Sequence, residues 1–559
     1  MLEKPEARLS VVGGSRGRGR QTSPNTEPLA KLDRIRIDIV GGLENDMCAM
    51  VEEALMAWGL PVYVKAGMLV EAIEGDTTAQ EGTIDRTARL IPINLHRMRH
   101  LMNTACTFVK TGPKNKEFFV NAPVDIANMI LNRVGFWPFP EVTNIVAAQT
   151  IEKTGEVINE PGVHRPSRLL LANLPVLPSI VISEEKSDAI EAANFLHGLI
   201  DEYEFVGEES KAVAMSMLIT PVCRGIIPLA PMHAVTAPTP GSGKSYLSRL
   251  ASLIATGRPC AVIPPARDED EFEKRLTAAM MVGPSIISLD NMVGRLGSSL
   301  LCQALTEPVI DVRPLGTSNL SRIEQRVTFF ANGNNLQVVD DLTRRTLLAT
   351  VDRNEENPEE HEYKARPDKA VIAERGRYVH AALTIVGSYL KSNGKVRLPP
   401  LASYEGWSKS VRESLVWLGY EDPVLSMKAV KANDPERHKR EAIFANWPEQ
   451  AFGIDFKGNP KLLTVAELIE GRDKSLDALS DWNEALKQIA GDGKGGVDKR
   501  ALGNWLAKQK DKIVGGRKLI SRLDSKRKIM NWGCIEVENN SLLQFGPTIG
   551  SSDFNDLPF

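Results

Sequence analysis

Between about residues 231 and 352, short apolar runs alternate with longer stretches of helical apolar spacing, the pattern of a parallel sheet covered by helices. The runs predict strands at His233 to Ala237, Cys260 to Ile263, Ser285 to Leu289, Arg326 to Ala331 and Thr346 to Val351. The spacing predicts helices at Lys244 to Ala255, Glu269 to Met280 and Ser298 to Leu305. The same reading gives the flanks. Residues 35–178 mix strand-like pieces (Ile35 to Val40, Val62 to Val64, Phe118 to Val120) with helix-like ones (Met47 to Trp58, Pro123 to Val134), an α+β domain. Residues 179–230 form a helical lead-in, with segments at Ser187 to Phe205 and Ser210 to Ile226.

Beyond the core, residues 353–490 read as a helical region, with an acidic surface loop at Asn354 to His361 and helices near Asp368 to Leu390 and Gly406 to Leu418. Gly491 to Gly496 is a linker by composition. Residues 491–538 then give a helix at Asp498 to Lys508, a turn at Gly515-Gly516, another helix and a strand at Asn531 to Val537, an order that suits a winged-helix module. Residues 1–34 hold Arg/Gly-rich sequence with little to bury and read as a disordered basic arm; 539–559 read as a loose polar tail. The expected architecture is an α/β core with a five-stranded parallel sheet, an α+β amino-terminal domain, a helical region and a carboxyl-terminal winged helix; the Gly-rich Gly241-Ser242-Gly243-Lys244-Ser245 between the first core strand and helix makes the expected fold class an α/β P-loop NTPase.

The 559 residues suffice for several domains, and 42% hydrophobic with 25% charged residues is an ordinary globular composition. No apolar run approaches the roughly twenty residues a membrane span needs, so the expected location is cytoplasmic with no membrane partner. Six scattered cysteines suggest neither a zinc site nor a disulfide framework, and His96 and His100 lack the Glu that would follow the first in a metalloprotease helix. The net charge of −3 hides an asymmetry: residues 494–528 carry twelve Lys/Arg against three Asp. Such a block fits a phosphate-backbone ligand, and Lys499, Arg500, Arg517 and Lys518 are candidate DNA contacts; a solvated basic helix face is the plainer alternative.

The candidate chemistry begins at Pro238-Thr239-Pro240-Gly241-Ser242-Gly243-Lys244-Ser245-Tyr246. A Gly-rich turn between strand and helix points backbone N–H groups at phosphates, with Lys244 reaching the β/γ-phosphates of ATP and Ser245 holding Mg²⁺. Pro238 stands where the strict motif has Gly. Asp290, at the end of an apolar strand, is the expected metal carboxylate. Asn291 follows it, and an amide orients water but cannot accept its proton, which leaves Glu307 as one possible base. In Asn332-Gly333-Asn334-Asn335, Asn334 is the candidate contact to the γ-phosphate or the lytic water, against a plain Asn-Gly turn. Arg344 and Arg345 precede the last strand as candidate arginine fingers, against a salt bridge to Asp340 or Asp341.

The order Gly-Ser-Gly-Lys-Ser, Leu289-Asp290-Asn291, Gly333-Asn334-Asn335 and Thr343-Arg344-Arg345 resembles the AAA+, superfamily 3-like helicase core of primase-helicase proteins of phages, plasmids and mobile elements. Supporting phrases are Val312-Arg313-Pro314-Leu315-Gly316, Trp407 to Gly419 and Glu160-Pro161-Gly162, and the likeness spans about residues 130–425. It implies a homo-oligomeric ring, a hexamer, hydrolysing ATP between subunits and moving along single-stranded or forked DNA with replication proteins as partners. It also implies a pore hairpin within Val309 to Ser318, with Arg313 touching DNA, and a lid arginine sensing nucleotide at Arg412. A primase activity is not expected, since neither a carboxylate cluster nor zinc spacing occurs. Two other readings stay open: an ATP-dependent DNA-binding initiator or switch, which Asn291 keeps alive, and an AAA+ protein remodeller.

Overall fold

The computed structural model describes residues 34–78, 84–292, 294–313, 320–355, 358–361, 364–432, 434–447, 461–470, 480–525 and 527–537. The basic arm, apart from Arg34, and the tail 539–559 lie outside them. The chain divides into two compact units, Met1–Val430 and Lys431–Phe559.

In the first unit five strands form one parallel sheet in the order Ala261–Ile263, Ile286–Leu289, Thr328–Asn334, Met232–Ala237, Thr346–Thr350. All five strands expected from the apolar runs are present, because buried parallel strands read as continuous hydrophobic runs. The end of the third differs: the apolar run stops at Ala331, yet pairing continues through Asn332↔Val235, Gly333↔Thr236 and Asn334↔Ala237. The Asn-Gly dipeptide is thus strand, and Gly333 is needed for another reason. A Cβ there would lie 2.0 Å from the Met292 carbonyl oxygen, where the chain leaving Asp290 crosses the strand.

Helix Lys244–Thr256 starts from Gly243 and stops at Gly257, both left-handed, and buries Leu247, Leu250, Ala251 and Ile254 at the spacing of a single helical face. Helix Glu269–Val282 is capped by Asp268, whose carboxylate accepts from Glu271 N at 2.8 Å, with three acids in the first turn facing the positive end of the helix dipole. Two hydrophobic layers sandwich the sheet. One is built around Leu247, Ile254, Phe330 and Trp407, the other around Ile263, Leu276, Ile287 and Phe329. Thus Phe329 and Phe330, adjacent in the strand, face opposite layers.

The amino-terminal part combines strands and helices. Strand Ile35–Asp38 pairs in parallel with Cys106–Thr111, which pairs antiparallel with Glu117–Val120, and helices Glu44–Ala57, Leu95–Ala105 and Val124–Leu131 close a separate core. It docks on the sheet just before the carboxylate strand, where Ser285 Oγ donates to the Ile145 carbonyl at 2.8 Å and Asn144 Nδ2 to the Pro284 carbonyl at 3.4 Å. On the other side, helices Lys186–His197, Glu208–Ile219 and Arg375–Lys391 pack together beside the helix Lys244–Thr256.

The second unit holds helices Pro435–Ala445, Val465–Glu470, Ser480–Ala490 and Lys499–Gln509 and a four-stranded antiparallel sheet in the order Leu463–Thr464, Ile529–Glu536, Arg517–Asp524, Ile513–Val514. Its core joins Trp482, Leu486 and Ala490 to Leu502, Leu506 and Trp532. Gly491 to Gly496 is therefore a loop inside this unit, tied by Asp492 Oδ1 accepting from Lys494 N and Gly496 N, and not a link between domains. The helix expected after Gly515-Gly516 is a strand. Both glycines have positive φ, +57° and +76°, forming the two-residue connection of a hairpin that sets Val514 opposite Arg517.

Candidate nucleotide-binding site

The loop after strand Met232–Ala237 turns on Gly241 (φ +78°) and Gly243 (φ +81°), conformations only glycine adopts without strain. Between them Ser242 Oγ donates to the Thr239 carbonyl at 2.8 Å, and Lys244 Nζ donates to the same oxygen at 2.9 Å. Lys244 is buried, which lowers the pKa of its ammonium. The loop backbone is thereby closed around its own lysine at the amino terminus of a helix, the arrangement that favours an anion. Pro238 sits at the strand exit and leaves both glycine turns intact.

Tyr203 supports the loop from outside. Its hydroxyl donates to the Gly243 carbonyl at 2.9 Å, its ring packs on Gly243, and Phe205 stacks behind it at 5.5 Å between centroids. Next to it lies a cavity of 370 Å³ walled by Leu199, Tyr203, Gly241, Tyr246, Arg249 and Asp368. Tyr246 donates its hydroxyl to Asp368 Oδ1 at 2.9 Å and accepts from Asp368 N at 2.9 Å, so the helix Lys244–Thr256 is fastened to the helix Pro367–Ala373 across the cavity wall.

Three sheet elements converge at the carboxyl edge. Ser245 Oγ donates to Asp290 Oδ1 at 2.8 Å and lies 3.3 Å from Asn332 Oδ1. Asn291 N donates to Asp290 Oδ1 at 3.0 Å and to Asn332 Oδ1 at 3.3 Å. A hydroxyl, a carboxylate and an amide oxygen within hydrogen-bonding reach are hard oxygen donors, a set that suits Mg²⁺ with phosphate oxygens and water completing its shell. Among the described residues no cluster of three His, Cys, Asp or Glu suited to a metal occurs.

The asparagine brought to this point is Asn332, not Asn334. Asn332 is buried with Nδ2 lacking a hydrogen-bond partner, while Asn334 is exposed at the strand tip. The two lie on one face by strand alternation, so the three extra residues of strand, Asn332 to Asn334, decide which reaches Ser245. Asn291 itself is exposed and left-handed at φ +54°, and Glu307 is the exposed residue ending helix Ser299–Thr306.

The two arginines separate. Arg345 is buried, donating to the Cys302 carbonyl at 3.0 Å and paired with Asp341 at 2.7 Å. Arg344 shares Asp341 but its side chain is 66% exposed. Arg412 corrects the expectation of a lid sensor. It lies in a π-type turn, Ser408–Arg412, and is buried with Nε and Nη2 on Asp422 and Nη1 on the Pro399 carbonyl and Ser408 Oγ, which uses its whole fork. Trp407, on the same turn of chain, is a core residue donating to Thr220 Oγ1 at 3.0 Å.

The strand Val309–Val312 pairs antiparallel with Ser321–Glu324, and exposed Arg313 leaves the first of them; of the hairpin expected over Val309 to Ser318, residues 314–318 lie outside the described residues. In the second unit Lys499 and Arg500 are exposed at the start of helix Lys499–Gln509. Arg517 and Lys518 lie on a strand instead of a helix: Arg517 Nη1 donates to the Phe444 carbonyl at 2.8 Å, and Lys518 faces Asp511 at 3.4 Å. No described helix is long and apolar enough to cross a membrane.

No family model matches the chain, and no curated protein matches it. Among solved structures, the apo C-terminal region of NrS-1 is similar at 12% identity over 79% of this chain and 98% of that one, TM-score 0.32. A second structure of that region gives 11% identity, 88% and 99% coverage and TM-score 0.33. A small-molecule complex of JCV helicase gives 12% identity, 45% and 74% coverage and TM-score 0.21. Likenesses this distant leave the functional reading to the geometry of the site.

Proposed function

We propose that this chain is an ATP-hydrolysing motor of the helicase type that works on DNA as a ring of identical subunits. The observation that carries the reading is the meeting of Ser245, Asp290 and Asn332 beside the loop that encloses Lys244. In this reading Gly241 to Ser245 hold the phosphates of ATP, and Tyr203, Tyr246 and their cavity take the nucleoside. Mg²⁺ held by Ser245 and Asp290 would supply charge neutralisation at the β- and γ-phosphates. Asn332 and the Asn291 backbone orient the attacking water. Arg344, exposed beside the sheet, is the arginine placed to reach a neighbouring subunit's triphosphate, which makes turnover depend on assembly. The hairpin bearing Arg313 and the basic surface of the second unit, read as a winged helix with helix Lys499–Gln509 presented to DNA, are the polymer contacts.

Strand displacement on a forked substrate tests this. ATP turnover is expected to rise with single-stranded DNA, and both activities are expected to vanish in Lys244→Ala. Turnover indifferent to DNA, with no strand displaced, would refute the motor. Asn291 favours one alternative, an ATP-dependent DNA-binding switch: its amide cannot take a proton from water. Assembly on ATP with negligible steady-state hydrolysis would select that reading.

A further inference from the structure

We infer that the second unit carries a docking groove for an acidic peptide bearing a large apolar side chain. The groove, 440 Å³, runs between helix Lys499–Gln509 and the hairpin formed by Arg517–Asp524 and Ile529–Glu536, with Val465, Ala466, Gly503, Ala507 and Met530 in its walls. Its size is within the roughly 300–1,000 Å³ usual for ligand sites. Ile529 and Met530 at its margin are large apolar side chains left 44% and 38% exposed.

Two polar groups in the walls point to what fills it. Trp532 is 4% exposed and its indole Nε1 is buried with no acceptor. Ser521, directly opposite Trp532 in the strand register, also has its hydroxyl buried without a partner. Buried donors left unmade are costly, and neighbouring ones on adjacent strands are satisfied together by the carbonyls of an extended peptide. A nucleic acid fits less well, since the walls are aliphatic and offer no exposed aromatic face on which a base would stack.

The rim selects the sign of charge. Exposed Lys510 lines the groove. Of the acids beside the groove, Glu467, next to the lining residues Val465 and Ala466, is committed to Thr464, accepting from its N at 2.8 Å and its Oγ1 at 2.9 Å, and Asp524, opposite Ile529 in the strand register, accepts from Arg527 N at 3.1 Å. The Thr464 bonds first, and then Lys461 and Arg527, hold the Glu467 carboxyl below the usual range. The surroundings are therefore cationic around an apolar slot, complementary to alternating acidic and apolar side chains. On helix Lys499–Gln509, Gly503 and Ala507 face the groove with Lys510 just past the helix end, and Lys499 and Arg500, four and three residues before Gly503, border the same face by helical spacing. The groove stands whether or not the motor reading does, and nucleic acid is tested as its competitor below.

The test is fluorescence anisotropy of the full chain with a labelled octapeptide alternating aspartate and leucine, an Asp-Ser octapeptide as control, and oligothymidine or a duplex as competitor. The Asp-Leu peptide is expected to bind and the control to fail. Ala507→Trp, which fills the slot from an exposed helix position, and Lys510→Glu should each weaken binding roughly tenfold or more, and Trp532→Phe by a smaller factor, with ATP turnover measured without DNA unchanged. No binding of the Asp-Leu peptide, equal binding of the control, or indifference to Ala507→Trp in a chain with unchanged thermal unfolding would overturn the proposal. Loss of DNA binding but not of peptide binding in Ala507→Trp would reassign the groove to nucleic acid.

Discussion

Ser245 and Asp290, forty-five residues apart in the chain, share a hydrogen bond of 2.8 Å at the carboxyl edge of the sheet. The contact exists because Gly243 starts the helix Lys244–Thr256 in the left-handed region and because strand Ile286–Leu289 ends one residue before the carboxylate. It predicts separable defects. Asp290→Asn keeps the shape and the bond to Ser245 but removes the charge, so nucleotide binding should persist while turnover falls by about 100-fold or more, with the Mg²⁺ requirement shifted upward. Lys244→Ala should remove nucleotide binding as well. Equilibrium binding of a fluorescent ATP analogue beside steady-state hydrolysis distinguishes the two; unchanged turnover in Asp290→Asn would exclude it from the metal site.

Asn332 and Asn334 give a sharper test of the geometry. Asn332 Oδ1 lies 3.3 Å from both Ser245 Oγ and Asn291 N, and the side chain is buried. Asn332→Ala is expected to lower kcat by about 10–100-fold, with thermal stability reduced by no more than about 1–3 kcal/mol from the partners left unpaired. Asn334→Ala, at an exposed position, should change kcat by less than about threefold. The reverse ranking would mean that the sheet edge is entered two residues later than the register shows.

How much of this was legible in the sequence depends on the distance over which each feature is encoded. The five strands and their helices are local: apolar runs and helical apolar spacing are written in adjacent residues. The loop and Asp290 were legible for the same reason, since each ends a recognisable run. Asn332 was not, because the hydrophobic run ends at Ala331 while pairing with Val235 carries the strand further. Tyr203 acts on Gly243 across forty residues, and Arg412 meets Asp422 only because a π-type turn rotates it inward; neither contact has a local signature. In the second unit, Lys518, Leu519 and Arg522 suited either period, and the paired positive-φ glycines decided for a hairpin.

Arg344 and Arg345 should fail in different ways. Arg345 is held by Asp341 and the Cys302 carbonyl, so Arg345→Ala is expected to cost about 1–3 kcal/mol of unfolding free energy. Arg344→Ala should leave stability within about 0.5 kcal/mol while cutting turnover by as much as about 1,000-fold if it completes a neighbour's site. Mixing supplies the decisive measurement. Lys244→Ala and Arg344→Ala subunits, each inactive alone, should regain activity together, because a subunit with an intact loop then meets one with an intact Arg344. Absence of complementation in co-assembled rings would place Arg344 outside any shared site.

Lys65 makes a prediction about stability that is independent of nucleotide. It ends strand Val62–Lys65, is 6% exposed, and its Nζ has no hydrogen-bond partner. The ammonium lies against Gly283, where a Cβ would stand 1.7 Å from Nζ, so the amino-terminal domain presses this side chain onto the chain just before the carboxylate strand. Burial lowers its pKa from 10.5 to about 8. Between those values the unfolded chain binds the proton and the folded chain does not, so this group's contribution to stability rises with pH across the window. Below pH 8 both states are protonated and the full penalty, about 3 kcal/mol for a shift of that size, is present. Lys65→Met should therefore be more stable than wild type at pH 7 by up to that amount, and the gap should close as pH rises towards 10.5. Comparing the two proteins cancels the titration of other groups, including Cys106, whose thiol burial pushes up to about 12. Denaturant unfolding at several pH values provides the measurement; a gap that does not vary with pH would mean that Lys65 is solvated or paired in solution.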